Sequence, residues 1–145
     1  MKRYVVDASV AGRFVLDEEF DDEAKSILEG FVKGEYNLLA PTLINYEVGN
    51  SLRTAAARKE ISVEESEVSY EAFLGFKIDV DNMEIDDYLG ALALSSRRNI
   101  SVYDAAYIWL SKKLAAPLVT ADAKQMEAAT DETKVLHLGD WARPA

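Results

Sequence analysis

At 145 residues, with a formal net charge of −10 and a sequence pI near 4.6, the chain is about one domain long and strongly acidic. It has no cysteine, which excludes disulfides, zinc–thiolate sites, iron–sulfur clusters and thiol nucleophiles. No apolar stretch approaches the ~18 residues that cross a bilayer, so the expectation is a soluble, cytoplasmic protein with no membrane role. The acidity also disfavours gripping nucleic acid over a broad basic surface. It suits carboxylates gathered around a cation, or docking of a basic partner.

Tyr4-Val5-Val6 is a β-branched and aromatic run ending at Asp7, the pattern of a buried strand that delivers its last residue to the carboxyl edge of a sheet. Helical spacing follows from Ser9 to Leu16. The acidic cluster from Asp17 to Glu23 opens a second helix, with Ala24, Ile27, Leu28, Phe31 and Val32 on one side and Gly34 as its stop. Leu38-Leu39-Ala40 reads as the second strand, and a long helix starts at Pro41 or Thr42 and runs to about Lys59. Ile44, Val48, Leu52 and Ala55 form its apolar stripe, and Glu47 falls inside that stripe.

Ser62-Val63-Glu64-Glu65 matches a capping box and predicts a helix to about Phe76, followed by a short strand over 77–80. Further helices are expected over about 84–98 and 103–114, then a strand Leu118-Val119-Thr120 closing on Asp122. A last strand over 135–138 precedes a disordered Pro144-Ala145. Strands alternating with helices predict one α/β domain, a three-layer α/β/α sandwich with a mainly parallel central sheet.

In such sheets the functional crevice lies outside the carboxyl ends of the strands, where Asp7 and Asp122 are expected. Asp104, at a helix start, and Glu47, on a core-facing stripe, are able to point to the same edge. Four converging carboxylates repel unless a divalent cation sits among them, and an all-oxygen pocket suits Mg²⁺ or Mn²⁺. Such a site activates water against a phosphodiester with no side-chain nucleophile. Each acid also has an ordinary reading: Asp7 and Asp122 as helix caps, Asp104 as a first-turn acid, and Glu47 as one half of an arginine salt bridge. Ser9 and Thr120 stand two residues from Asp7 and Asp122 and are candidates to hold a water, or are plain capping and strand hydroxyls. Arg13, just past the first acid, and Arg53, beyond Glu47, are candidates to contact a phosphodiester substrate, or are ordinary surface or ion-pair arginines. His137, the only histidine, reads as a packed residue, as do Trp109 and Trp141.

Four stretches carry a resemblance: Val5-Val6-Asp7-Ala8-Ser9; Pro41 with Glu47, Asn50 and Leu52; Ser101 to Tyr107 (SVYDAAY); and Leu118-Val119-Thr120-Ala121-Asp122. In this order, over nearly the whole chain, they resemble the PIN-domain family, in particular the VapC-type toxins of toxin–antitoxin pairs. The resemblance implies a ribonuclease in which Asp7, Glu47, Asp104 and Asp122 bind one or two Mg²⁺ or Mn²⁺ ions and direct water at RNA, leaving 5′-phosphate and 3′-hydroxyl ends. It also implies a homodimer and a small basic antitoxin whose arginine-bearing tail enters the acidic pocket. Gln125-Met126 departs from the family pattern, where a bulky apolar residue comes sooner. The competing expectation is a catalytically weak PIN-like interaction protein acting through its partner. An aspartyl-phosphate phosphatase is disfavoured because it needs a second aspartate where this chain has Ser9.

Overall fold

The computed structural model describes residues 1–144, so Ala145 of the expected disordered tail lies outside the described residues. Five strands, β1 (Arg3–Val6), β2 (Asn37–Pro41), β3 (Asp79–Asp81), β4 (Leu118–Thr120) and β5 (Val135–His137), form one sheet in the order β3-β2-β1-β4-β5. Every neighbouring pair is parallel. Val5 and Val6 are adjacent on β1 and so point to opposite faces, yet both are fully buried, as are Leu118 and Val119 on β4. Both faces of the sheet are therefore covered, as the three-layer expectation required.

Helices α1 (Ala8–Gly12), α2 (Asp21–Val32), α3 (Leu43–Ala57), α4 (Val63–Gly75), α5 (Ile85–Arg98), α6 (Val102–Leu114) and α7 (Ala123–Ala129) supply those layers, with a 3₁₀ turn at Leu138–Asp140. The capping box at Ser62 forms: Ser62 Oγ accepts from Glu65 N, and Glu65 Oε1 accepts from Ser62 N. None of the described helices is long and apolar enough to cross a membrane.

The third helix begins at Leu43, Pro41 ending β2 instead of opening that helix, and two further boundaries differ for a local reason. The first helix ends at Gly12, because Arg13, Phe14 and Val15 bond to carbonyls three residues back and tighten the chain into turns. The strand expected over 77–80 begins at Asp79, because Lys77 adopts the left-handed conformation (φ 57°) that closes α4. Helix α7 was not expected as an element, although Asp122 had been read as a possible cap for it.

The helix pair that presents the site is held by one close approach. A Cβ added at Gly90 of α5 would fall 2.4 Å from the ring of Trp109 on α6, so only glycine admits the indole there. Trp109 also donates from Nε1 to Asp87 Oδ1 at 3.1 Å, and Lys113 pairs with the same carboxylate at 3.0 Å.

At the other end of these helices, Glu132 binds Arg97 (2.8 Å), Arg98 (2.7 Å) and Lys112 (3.1 Å), and its side chain is only 4% exposed. This joins the segment after α7 to both α5 and α6. Arg97 first, with Arg98 and Lys112, overcomes the cost of burial and holds the Glu132 carboxyl at about 2, below its ordinary 4.5. A carboxyl whose folded value lies below its ordinary one stabilises the fold above that ordinary value and loses the effect as pH falls toward the folded one. Thermal melts of Glu132→Gln are thus expected to fall roughly 4–8 °C at pH 7, for a loss of about 2 kcal/mol. The gap from the unsubstituted protein should narrow between about pH 4.5 and 2.

Candidate active site

The chain runs from β1 outward through β2 to β3, then crosses back to β4 on the far side of β1. The loops that leave β1 and β4 therefore diverge, opening a crevice at the carboxyl end of the sheet. Asp7 follows β1 and Asp122 follows β4 by one residue. The register pairs Val6 with Val119, so Asp7 meets the neighbourhood of Thr120.

Asp7 caps α1, its Oδ1 accepting from Ser9 N (3.1 Å) and Val10 N (3.3 Å). Two hydroxyls complete its shell: Ser9 Oγ donates to Oδ1 and Thr120 Oγ1 to Oδ2, both at 2.5 Å. Ser9 Oγ then accepts from Ala121 N (2.8 Å) and Thr120 Oγ1 from Asp122 N (3.1 Å). Of the two readings of these hydroxyls, holders of a water or capping and strand hydroxyls, the bonds match the second: their protons go to the Asp7 carboxylate and their lone pairs tie the β4 loop to it. Asp122 in turn caps α7 through Oδ1, accepting from Lys124 N (2.8 Å) and Gln125 N (3.4 Å).

Glu47 is half-buried in the second turn of α3. Its partner is Tyr107 of α6, whose hydroxyl donates to Oε1 at 2.6 Å. No arginine pairs with it among the described residues, so the salt-bridge reading of Glu47 is set aside. Asp104 sits in the first turn of α6 behind the cap Ser101, which accepts from Asp104 N. The buried Gln125, noted in the sequence only as a departure, donates from Nε2 to Asp104 O at 2.9 Å and so locks α7 to the start of α6. Tyr107 and Gln125 are the site residues that sequence reasoning did not assign. The signal for Tyr107 was its spacing, three residues beyond Asp104 on one helix face.

The electrostatics tie the four acids together. Burial raises the Asp7 carboxyl, and the Asp122 charge adds to it against the pull of the Ser9, Thr120 and Val10 hydrogen bonds. Glu47 is raised by burial, with the charges of Asp104 and Asp7 contributing against the Tyr107 bond. Asp104 is raised by burial, with Asp122 contributing. Among the described residues none of the four is engaged by a basic side chain, yet no three acidic or histidine side chains already stand where they hold a cation. The donor set nevertheless fits a hard dication: every donor is a carboxylate oxygen, the excess negative charge is unbalanced, and the cap bonds of Asp122 fall on Oδ1. Asp7 Oδ2 accepts only from Thr120 and retains a lone pair. Beside them a cavity of about 370 Å³ is lined by Ser9, Glu47, Asn50 and their neighbours.

Of the two arginines expected to contact RNA, Arg13 is already engaged within the chain, donating to Ser9 O (2.6 Å) and Glu19 O (2.7 Å) and pairing with Glu18 at 3.3 Å. Arg53 lines a groove between α3 and α4. His137 is packed as expected, edge-on to Phe20 at 5.2 Å with Nδ1 accepting from Gly139 N. Trp141 is buried edge-on against Tyr4 and Tyr36.

A carboxyl raised above its ordinary value stabilises the fold while protonated, and that contribution is lost as pH rises through its folded value. In cation-free protein at pH 7.5, Asp104→Asn is therefore expected to raise the melting temperature by a few degrees. The gain should vanish in melts below the ordinary aspartate value of 3.8.

The chain matches the family model of the PIN domain over residues 4–131. It is 34% identical over 128 residues to Ribonuclease VapC1 of Mycobacterium tuberculosis, covering 86% of this chain and 89% of that one. Ribonuclease VapC3 of Pyrobaculum aerophilum is 31% identical over 129 residues, with coverage of 86% and 93%. The crystal structure of PAE2754 from Pyrobaculum aerophilum superposes with a TM-score of 0.71 at 20% identity, covering 95% and 92%. That of VapBC2 from Rickettsia felis, bound to a DNA fragment from its promoter, gives 0.68 at 13%, covering 93% and 98%. FitAcB from Neisseria gonorrhoeae gives 0.64 at 12%, covering 95% and 99%. At these identities the structural likeness is one of fold. With the family model spanning most of the chain and the acids of its motifs drawn to one rim, this protein belongs to the PIN-domain family.

Proposed function

We propose that this protein is a VapC-type ribonuclease that hydrolyses RNA phosphodiester bonds with Mg²⁺ or Mn²⁺, as the toxin of a toxin–antitoxin pair. The observation that carries the reading is that no cationic side chain among the described residues engages Asp7, Glu47, Asp104 or Asp122 at the β1–β4 crevice, while burial first, and then neighbouring acid charges, raises the Asp7, Glu47 and Asp104 carboxyls. The two relatives named as VapC ribonucleases support it at 34% and 31% identity.

These four carboxylates are the groups that would hold the cation. When bound, a divalent ion supplies activation of water and neutralisation of the phosphate charge. The residues of the chain do the positioning. Ser9 and Thr120 orient the Asp7 carboxyl from two sides and Tyr107 orients that of Glu47, each bond opposing the upward pull of burial. Gln125 sets the spacing between the helix that carries Asp104 and the one that Asp122 caps. In the reaction water adds to phosphorus, the P–O3′ bond breaks, and the fragments carry a 5′-phosphate and a 3′-hydroxyl.

An acidic crevice repels RNA until the cation is in place, and it attracts a basic inhibitor. A small antitoxin with an arginine-bearing segment is the partner we assign to it, in keeping with the VapBC2 and FitAcB structures of the same fold. For a homodimer, the available face is α5, where Ile85, Tyr88, Leu89 and Leu92 form an exposed apolar stripe at helical spacing. With all four acids present, no observation favours a catalytically weak interaction protein.

Single-stranded RNA should be cleaved in Mg²⁺ or Mn²⁺, with EDTA stopping the reaction and added Mn²⁺ restoring it. Asp104→Asn should retain the fold by circular dichroism and lose at least about 100-fold in kcat/KM. Rates in Mn²⁺ should climb with pH while the raised carboxyls ionise and then level off. Cleavage by Asp104→Asn at the unsubstituted rate would remove Asp104 from the site.

A further inference from the structure

Next to the acidic crevice lies an apolar cavity of about 270 Å³ that the metal chemistry does not use, walled by α3, α5 and α6. Its walls are pairs at helical spacing, Leu43 with Tyr46 and Tyr103 with Ala106, closed from α5 by Tyr88. Tyr46 is 82% exposed and Tyr103 67%, high values for rings beside an apolar hollow. Each immediately precedes a site acid, Glu47 and Asp104, so adjacent positions on one helix turn a carboxylate to the crevice and a ring to the cavity. Tyr46 also lines the cavity that contains Ser9, Glu47 and Asn50, so the two hollows border on the same ring.

Against a net charge of −10, few cations stand near the site acids in sequence, and of these Arg53 and Lys124 form no ion pair among the described residues. Arg13 is committed to Glu18, Arg97, Arg98 and Lys112 to Glu132, and Arg143 to Glu35. In so acidic a chain, contacts to bases add affinity that a broad basic surface would otherwise supply. Bases supply it by stacking on aromatic rings, which is insensitive to the sign of the surrounding charge. The cavity lies just below the ~300 Å³ at which pockets for drug-sized ligands begin, a size for one flat ring system.

We infer that this cavity seats the nucleobase flanking the scissile phosphate, with Tyr46 and Tyr103 as substrate-positioning residues. The inference rests on the ribonuclease reading, and its test separates the two. A single-stranded RNA with one cleaved bond is made in three forms: unmodified, with 2-aminopurine beside the bond, and abasic at that nucleotide. Cleavage kinetics are read in Mn²⁺, and 2-aminopurine quenching is read in Mn²⁺ on the same RNA carrying a non-hydrolysable methylene phosphonate at the scissile linkage.

Tyr46→Ala and Tyr103→Ala are expected to raise KM by roughly tenfold, leave kcat within about twofold and abolish quenching. Tyr46→Phe and Tyr103→Phe should retain all three. The abasic RNA should bring the unsubstituted protein to the level of the alanine variants and cost those variants nothing further. Alanine variants with unchanged KM and quenching would overturn the assignment, as would a KM rise of the same size on abasic RNA. It is likewise overturned if the variants lose a dimer in sedimentation while quenching persists, since the cavity is then a seam between copies. If the unsubstituted protein cuts no RNA, the ribonuclease reading fails alone; absence of quenching in that protein overturns the base site.

Discussion

Like charges crowded on one rim of the sheet are the constraint around which this molecule is arranged. The chain contains acids handled in two opposite ways. Glu132 and Asp87 are both held at about 2: Glu132 by Arg97, Arg98 and Lys112, and Asp87 by the Glu84 backbone N–H, Trp109 and Lys113. These are fastenings, and they join α5 and α6 to each other and to the segment after α7. Asp7, Glu47 and Asp104 are instead raised, because burial is met only by hydroxyls and N–H groups and each also feels a neighbouring acid. A fold that pairs its other buried acids and leaves these without a counter-charge has kept room for one from outside.

For Asp7 and Asp122 the ordinary role of helix cap and the proposed chemical one call for the same geometry. Asp7 is a helix cap and Asp122 is a helix cap, through Oδ1 in each case. Capping fixes the carboxylate at a helix start, and a helix start after a parallel strand lies at the carboxyl edge of the sheet. The structural role therefore aims the chemical one. The same economy applies to Ser9 and Thr120, whose hydrogen bonds to Asp7 knit the β1 and β4 loops across the switch point.

The parallel sheet and the four acids were legible because they rest on local patterns: apolar runs ending in aspartate, and a glutamate on an apolar stripe. Other features depend on contacts between distant segments. That Tyr107 serves Glu47, 60 residues away, follows from how α6 lies on α3, which no spacing within either helix reveals. Gln125 looked like a departure because its partner is a backbone carbonyl on another helix. Arg13 and Arg53 were chosen by proximity in sequence to the acids. Proximity does not reveal that Arg13 finds acceptors in its own loop, or that Arg53 lines the groove between α3 and α4. The α7 helix was too short to show a periodic stripe, leaving its cap as the only visible mark.

Metal binding to carboxyls with raised pKa values releases protons, since the ligands must ionise to coordinate. The most direct measurement of the central claim is Mn²⁺ titration calorimetry near pH 6 in two buffers of different ionisation enthalpy, on the unsubstituted protein and on Asp7→Asn/Asp104→Asn. The account predicts saturable Mn²⁺ binding with net proton release in the first and neither in the second. Failure of the unsubstituted protein to bind Mn²⁺, or undiminished binding by the double variant, would contradict it.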